Sequence, residues 1–275
     1  MKRLSSLFFL ALLCCAFCFQ SAFANGVDDF KGKKGTISIA GGTAHIPVMK
    51  KAAKKIMTAN PDIRITIAGG GSGVGIQKVG EGLVNIGNSG RKASDAEKSK
   101  YGLVLFPFAI DGVATVMHAD NPIKNVTSEQ VRAIFAGTIT NWKEIGGNDA
   151  PVNLYCRDES SGTRAVYWKK LLKKGAVATS ANIVPSNGAM KSAVSRDPNA
   201  IGYVSIGHLD SSVKAPNLDG VVVTQETAKN GQYPVVRKLY MNTKGNPTGI
   251  VKSFVDFITS PVSHDIIKSS GYIPM

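Results

Sequence analysis

Arg157, Asp158, Glu159, Ser160, Ser161, Gly162, Thr163 and Arg164 form one stretch that sets a guanidinium, hydroxyls and a glycine ahead of an amphipathic run. Such a set can hold an anion. The run from Ala165 to Lys174 carries Val166, Leu171 and Leu172 among four lysines, which predicts a helix starting near Thr163. The first N–H groups of a helix have no acceptor within it, and the helix dipole makes that end positive, so a phosphate-like group can sit there. Arg157, six residues before Thr163, can add a bidentate fork to the same oxygens. The residues also read as an ordinary Ser/Thr cap beside a surface arginine, and taken alone they leave both readings open.

The glycine-rich stretch from Gly69 to Gly75 fails the common motifs once spacing is checked. A dinucleotide pattern needs glycine where Val74 or Ile76 stands, no Walker lysine follows, and a nucleophile elbow around Ser72 needs glycine at Val74. It reads instead as a loop whose N–H groups and Ser72 hydroxyl approach a ligand closely, or as a structural turn. The four histidines are scattered without metal-ligand spacing, and Cys156 reads as a small buried residue. Asp111 discriminates between ligands. In an anion pocket its carboxylate repels a fully ionised tetrahedral anion but accepts a hydrogen bond from a protonated phosphate oxygen; otherwise it is a hinge or turn aspartate. Arg91 either compensates the pocket charge or lies outside it. No base stands in recognisable order near Ser72, Ser161 or Cys156, so these groups bind rather than react.

The elements that must position these residues alternate between short apolar strands and amphipathic helices, the pattern of an α/β fold with open, largely parallel sheets. Expected strands are Thr36 to Ala40, Ile63 to Ile67, Asn85 to Asn88, Val104 to Ile110, Val113 to His118, Val152 to Cys156, Ile201 to Ile206 and Tyr233 to Asn242. Expected helices start near Pro47, run through Ile76, Val79 and Leu83, follow the Thr127 and Gln130 capping box, and close the chain at Gly249 to Thr259 and Val262 to Ser269. Several strand ends thus deliver glycine or hydroxyl residues to helix starts, where ligands of open α/β sheets bind.

Lys2 and Arg3, the apolar run from Leu7 to Phe19, and Ala22, Phe23, Ala24 read as a secretory signal over residues 1–24, cleaved after Ala24. Cys14, Cys15 and Cys18 fall inside it, each after a residue unsuited to a lipoprotein signal, so a soluble exported product without a lipid anchor is expected. Only Cys156 then remains, and no internal disulfide can form. Removing Lys2 and Arg3 from 33 basic residues leaves 31 against 19 acidic ones, a formal charge of +12. That excess favours small anions; paired lysines without interleaved arginines and aromatics do not make a nucleic-acid stripe.

GGGSGVG (Gly69 to Gly75), IDGV (Ile110 to Val113), FAGTITNWKEIGG (Phe135 to Gly147), RDESSGTR (Arg157 to Arg164), Asn187 with Gly188, IGYVS (Ile201 to Ser205) and YPVVRKLY (Tyr233 to Tyr240) recur in a specific order. By these motifs the chain, from Thr36 to Pro274, resembles the phosphate-binding proteins of bacterial high-affinity phosphate ABC transporters, which are type II periplasmic binding proteins. The resemblance implies an α/β fold of two lobes, each an open mixed sheet flanked by helices, with phosphate in the interlobe cleft: 25–112 and 222–275 in one lobe, 113–221 in the other. It implies Arg157, Ser161, Gly162 and Thr163 as phosphate ligands, with Thr43 and Ala44 at a first turn, Ser72 and Gly73 at a second, and Ser89 to Arg91 at a third. The sequence departs at Gly41, Gly42, Thr43, Ala44, where many relatives have Gly-Ser-Thr-Thr. It departs again at Gly90 and Arg91, where some supply an acceptor aspartate; that role is expected of Asp111.

A periplasmic, monomeric receptor is therefore expected, handing phosphate to a membrane permease, without cofactor, metal or catalytic residue. A receptor for sulfate, molybdate or another oxyanion, an exported phosphatase, and an adhesion or scaffold protein are the competing readings.

Overall fold

A computed structural model describes residues 26–275; the expected signal lies outside the described residues. β1 (Gly35–Gly41) leads through a 3-10 turn, Thr43–His45, into α1 (Ile46–Ala59), and β2 (Ile63–Gly70) leads directly into α2 (Gly71–Gly80). β3 (Ile86–Ser89), α3 (Asp95–Tyr101) and a long β4 (Leu103–His118) follow. Next come β5 (Asn125–Val126), α4 (Ser128–Ala136), β6 (Asn153–Arg157), α5 (Gly162–Lys170), β7 (Asn182–Val184), α6 (Asn187–Val194) and β8 (Ala200–Ser205). The chain closes with β9 (Val213–Lys214), β10 (Asn217–Leu218), α7 (Gln225–Lys229), β11 (Val236–Lys244), α8 (Gly249–Thr259), α9 (His264–Ser269) and β12 (Ile273–Pro274).

The main sheet runs β2-β1-β3-β11-β4-β8-β6-β7. β1, β2 and β3 are parallel at one side and β6, β7 and β8 at the other, whereas the central pairings of β4 are antiparallel. β4 joins the two halves: its register with β11 extends to Gly112 opposite Val236, and its register with β8 begins at Val113 opposite Ser205. The two apolar runs expected as separate strands are thus one strand. Asp111 interrupts the hydropathy without interrupting the strand, because Arg237 stands directly opposite it on β11.

Local sequence explains most helix positions. α1 turns Val48, Met49, Ala52, Ala53 and Ile56 inward, and Asn60 stops it. Thr127 and Gln130 form the expected capping box of α4. α2 packs through glycines: a Cβ on Gly75 would stand 2.4 Å from the Asn88 carbonyl and 2.9 Å from the Gly41 Cα, so α2 lies directly on β1 and β3. This corrects the loop expected over Gly69 to Gly75, whose glycines are the end of β2 and the first turns of α2. Leu83 lies beyond that helix and is exposed. β11 begins at Val236 rather than Tyr233, and α5 ends at Lys170, short of Lys173 and Lys174, which adopt positive φ.

Two large apolar clusters lie beneath the halves, the first reaching across both. One gathers Ile37, Ile39, Val48, Ile56 and Ile86 with Phe254 and Phe257. The other holds Val113, Phe135, Trp142, Tyr167 and Tyr203, with the last two rings stacked at 4.2 Å. Burying large side chains of this kind contributes about 1.5–3 kcal/mol each, which makes each half a firm platform for the residues between them.

Candidate anion-binding site

Gly42, Thr43, Ala44, Gly71, Ser72, Gly90, Arg157, Ser161, Gly162, Thr163 and Arg237 line one small cavity between the halves. Three strand-to-helix junctions converge there: β1 into the Thr43 turn, β2 into α2, and β6 into α5. Each presents a first helical turn whose N–H groups lack an intrahelical acceptor, so partial positive charge faces the cavity from three directions.

Arg157 is 1% exposed at the end of β6. Its Nε donates to the Val184 carbonyl and one Nη to the Pro185 carbonyl, both at 2.9 Å, which fixes the plane of the guanidinium. The other, Nη1, is buried with no hydrogen-bond partner among the described residues. Asp158 comes only to 3.8 Å. Burial draws the guanidinium pKa downward, yet arginine remains charged in proteins. A buried cation so weakly compensated calls for an anion.

The hydroxyls are held by donors. Thr43 Oγ1 accepts from the Asn187 backbone N–H at 3.2 Å and from its Nδ2 at 3.0 Å. Ser72 Oγ accepts from the Gly90 N–H at 2.8 Å, and Ser161, the N-cap of α5, from the Arg164 N–H at 3.1 Å. Thr163 Oγ1 lies 3.4 Å from Asn187 Nδ2.

Four expected site residues lie off the cavity lining. Gly73 donates its N–H to the Ser160 carbonyl at 2.9 Å, joining the halves at the cavity's edge. Ser89 Oγ accepts from Asn242 Nδ2 at 2.9 Å. Arg91 points to Glu97 in a two-pronged ion pair at 2.7 and 2.8 Å, which holds that carboxyl down at a pKa of about 2. Asp111 is fully buried behind Arg237: one carboxylate oxygen accepts from Arg237 Nε at 2.7 Å and the other from Ser205 Oγ at 2.9 Å. Burial raises the Asp111 pKa and Arg237 opposes that rise.

Gly42, Gly71, Gly90 and Arg237 complete the lining; Gly71 and Gly90 lie in segments the sequence placed near the ligand, whereas Arg237 was not expected there. For Arg237 a signal existed: it stands in phase with Val235, Leu239 and Met241, all buried, and an arginine on the apolar face of a strand is retained for a partner or a ligand.

A cavity closed between two α/β halves, lined by arginines and helix N-termini, defines a solute-binding receptor of the two-lobed periplasmic type. The PBP superfamily domain matches residues 31–262. Phosphate-binding protein PstS of Bacillus subtilis is 36% identical over 254 residues, covering 90% of this chain and 84% of the relative. A Clostridium perfringens phosphate ABC transporter substrate-binding protein, solved with bound phosphate, superposes with a TM-score of 0.83 at 38% identity over 88% of this chain and 100% of that one. An ABC-type phosphate transport receptor from Vibrio cholerae does so with a TM-score of 0.69 at 32% identity, over 86% and 99% of the two chains. The chain belongs to the PBP superfamily and, within it, to the family of the phosphate-binding protein PstS.

Proposed function

We propose that this protein is an exported receptor that binds inorganic phosphate between its lobes and delivers it to an ABC-type permease. The observation that carries this reading is the convergence of Arg157, with a buried unpartnered Nη1, and three helix N-termini on one cavity. Those groups replace the water shell of a tetrahedral oxyanion with fixed donors. Membership in a family whose members are named for phosphate binding supports the choice of oxyanion.

The mechanism follows from the topology. β4 crosses between halves at Gly112 and Val113, and the chain returns near Val235, whose carbonyl accepts the Val113 N–H at 2.8 Å. Bending there opens and closes the cavity, and an anion that touches both sides shifts the population toward closure. The lobes fall at 25–112, 113–221 and 222–275, and the protein works as a monomer in the periplasm after cleavage at Ala24. Among the described residues no helix is long and apolar enough to cross a membrane.

No turnover belongs to this reading: the cavity serines are held by backbone donors, and among the described residues the lining carries no general base. Calorimetry on the mature protein stripped of anions is expected to give one phosphate per chain, with no hydrolysis of a chromogenic phosphomonoester. Absent binding, or turnover lost in Ser161→Ala, overturns the reading.

A further inference from the structure

β11 turns Val236, Lys238 and Tyr240 to one side at the two-residue spacing of a strand, and Ile110 of β4 stands directly opposite Lys238. α5 borders that surface with Val166 and Lys170, four residues apart on one helix face, and with Lys169 beside them. Arg91 and Lys92, which follow β3, close a groove from the other half of the molecule. Its volume is about 640 Å³, the size of a cleft that takes an organic ligand. The groove is a different space from the anion cavity, and Arg237 is the one residue that lines both.

The charge of the groove is one-sided. Lys92, Lys169, Lys170 and Lys238 are exposed on its lining, and among the described residues no carboxylate joins them there. Glu97 and Asp95, the acidic residues nearest Lys92 in the chain, are held by Arg91 and Lys98, and Asp111 is buried behind Arg237. Lys169 and Lys170 occupy the last turn of α5, where the helix dipole favours cations. That accounts for these two and not for the convergence, because Lys92 comes from the other half and Lys238 from a strand between. Burial, and after it the Lys169 charge, lowers the Lys170 pKa, a crowding that an anion relieves. Beneath the lysines the lining is apolar: Ile110, Val166, Val236 and the Tyr240 ring are half-buried and leave a strip open to the groove. An inorganic anion would use the cations and leave that strip wet; a ligand with a flat or apolar body uses both.

We propose that this groove is a second ligand site, one that takes an organic polyanion of the nucleoside phosphate class, with its phosphates on the lysines and its ring on the Tyr240 strip, and that lobe closure completes. Lys92 stands on one half and α5 on the other, so a ligand that touches both walls favours the closed state. α5 is also the helix whose first turn faces the anion cavity. Phosphate in that cavity and a polyanion in the groove therefore stabilise the same arrangement, and each tightens the other. The shared Arg237 charge and dissolved salt weaken the repulsion between the two anions. The site itself stands on the groove alone; its coupling to closure rests on the phosphate-receptor reading.

The test is calorimetry with adenosine triphosphate as the probe, free of divalent cations, on the mature protein saturated with phosphate and on the same protein stripped of anions. With the anion cavity filled, the probe is expected to bind at one per chain without releasing phosphate. Its affinity for the phosphate-saturated protein is expected to exceed that for the stripped protein by about fivefold or more. Tripolyphosphate, which leaves the apolar strip unused, is expected to bind about tenfold more weakly than the nucleotide. Lys170→Glu and Lys238→Glu each change an exposed side chain outside the anion cavity. Each is expected to weaken nucleotide binding by about tenfold and to leave phosphate affinity within about twofold of the wild type. Nucleotide that fails to bind, that displaces phosphate, that binds both forms equally, or that binds both variants as it binds the wild type overturns the proposal. Tripolyphosphate that matches the nucleotide overturns it too, since the strip then contributes nothing. Phosphate that fails to bind the stripped protein overturns the receptor reading instead, and nucleotide binding to that form still tests the groove.

Discussion

A guanidinium that is 1% exposed and whose nearest carboxylate stands 3.8 Å away gains little from solvent or from an ion pair. Two backbone carbonyls orient Arg157 and leave Nη1 for a ligand. Truncating one partner of a buried, hydrogen-bonded charge pair costs about 2–5 kcal/mol, so Arg157→Ala is expected to weaken phosphate binding by at least ~30-fold. Arg157→Lys is expected to fail nearly as badly, because a single ammonium cannot span the Val184 and Pro185 carbonyls and the ligand together. Calorimetry of both variants checks this, and an Arg157→Lys protein that binds like the wild type removes Arg157 from the site. Arg157 was legible in the sequence because the arginine, the Ser-Gly-Thr cap and the helix that follows are contiguous. The pairing of Arg237 with Asp111 was not, since it spans 126 positions and arises only when β11 lies against β4.

The same contrast between local and distant information holds for the elements. α4 carries its own capping box, α1 and α8 their apolar periodicity, and each stands where those signals place it. α3 was missed because it is short and buries no residue, although its Ser94 and Glu97 capping box was there to be read. The glycine-rich segment was misread as a loop because its glycines serve packing: they let α2 touch β1 and β3 backbone to backbone. Gly75→Ala is therefore expected to destabilise the protein by about 1–3 kcal/mol through overpacking. The α2 N-terminus would also be pushed away from the cavity. Urea denaturation and phosphate titration should both report the change; unaltered values in both would mean that α2 has slack the observed contacts do not show.

Closure of the whole molecule brings the two halves into contact through backbone as well as through ligand. Ser160 accepts the Gly73 N–H through its carbonyl and donates its hydroxyl to the Gly70 carbonyl at 2.8 Å. Asn187 reaches from α6 to Thr43 at the end of β1. At the centre of that seam Gly162 leaves no room for a side chain: a Cβ there would stand 2.0 Å from Ser72 Oγ and 3.3 Å from the Gly90 carbonyl carbon. The clash is between the halves, and neither half loses a core contact. Gly162→Ala is accordingly expected to fold with near wild-type stability while holding the lobes apart, so that phosphate binds by one lobe's donors alone and at least ~30-fold more weakly. Small-angle scattering distinguishes this from a merely damaged site. The wild type is expected to shrink in radius of gyration when phosphate is added, and Gly162→Ala is expected to keep its open radius at phosphate concentrations that saturate it. If the variant compacts as the wild type does, the seam at Gly162 does not set the closed state.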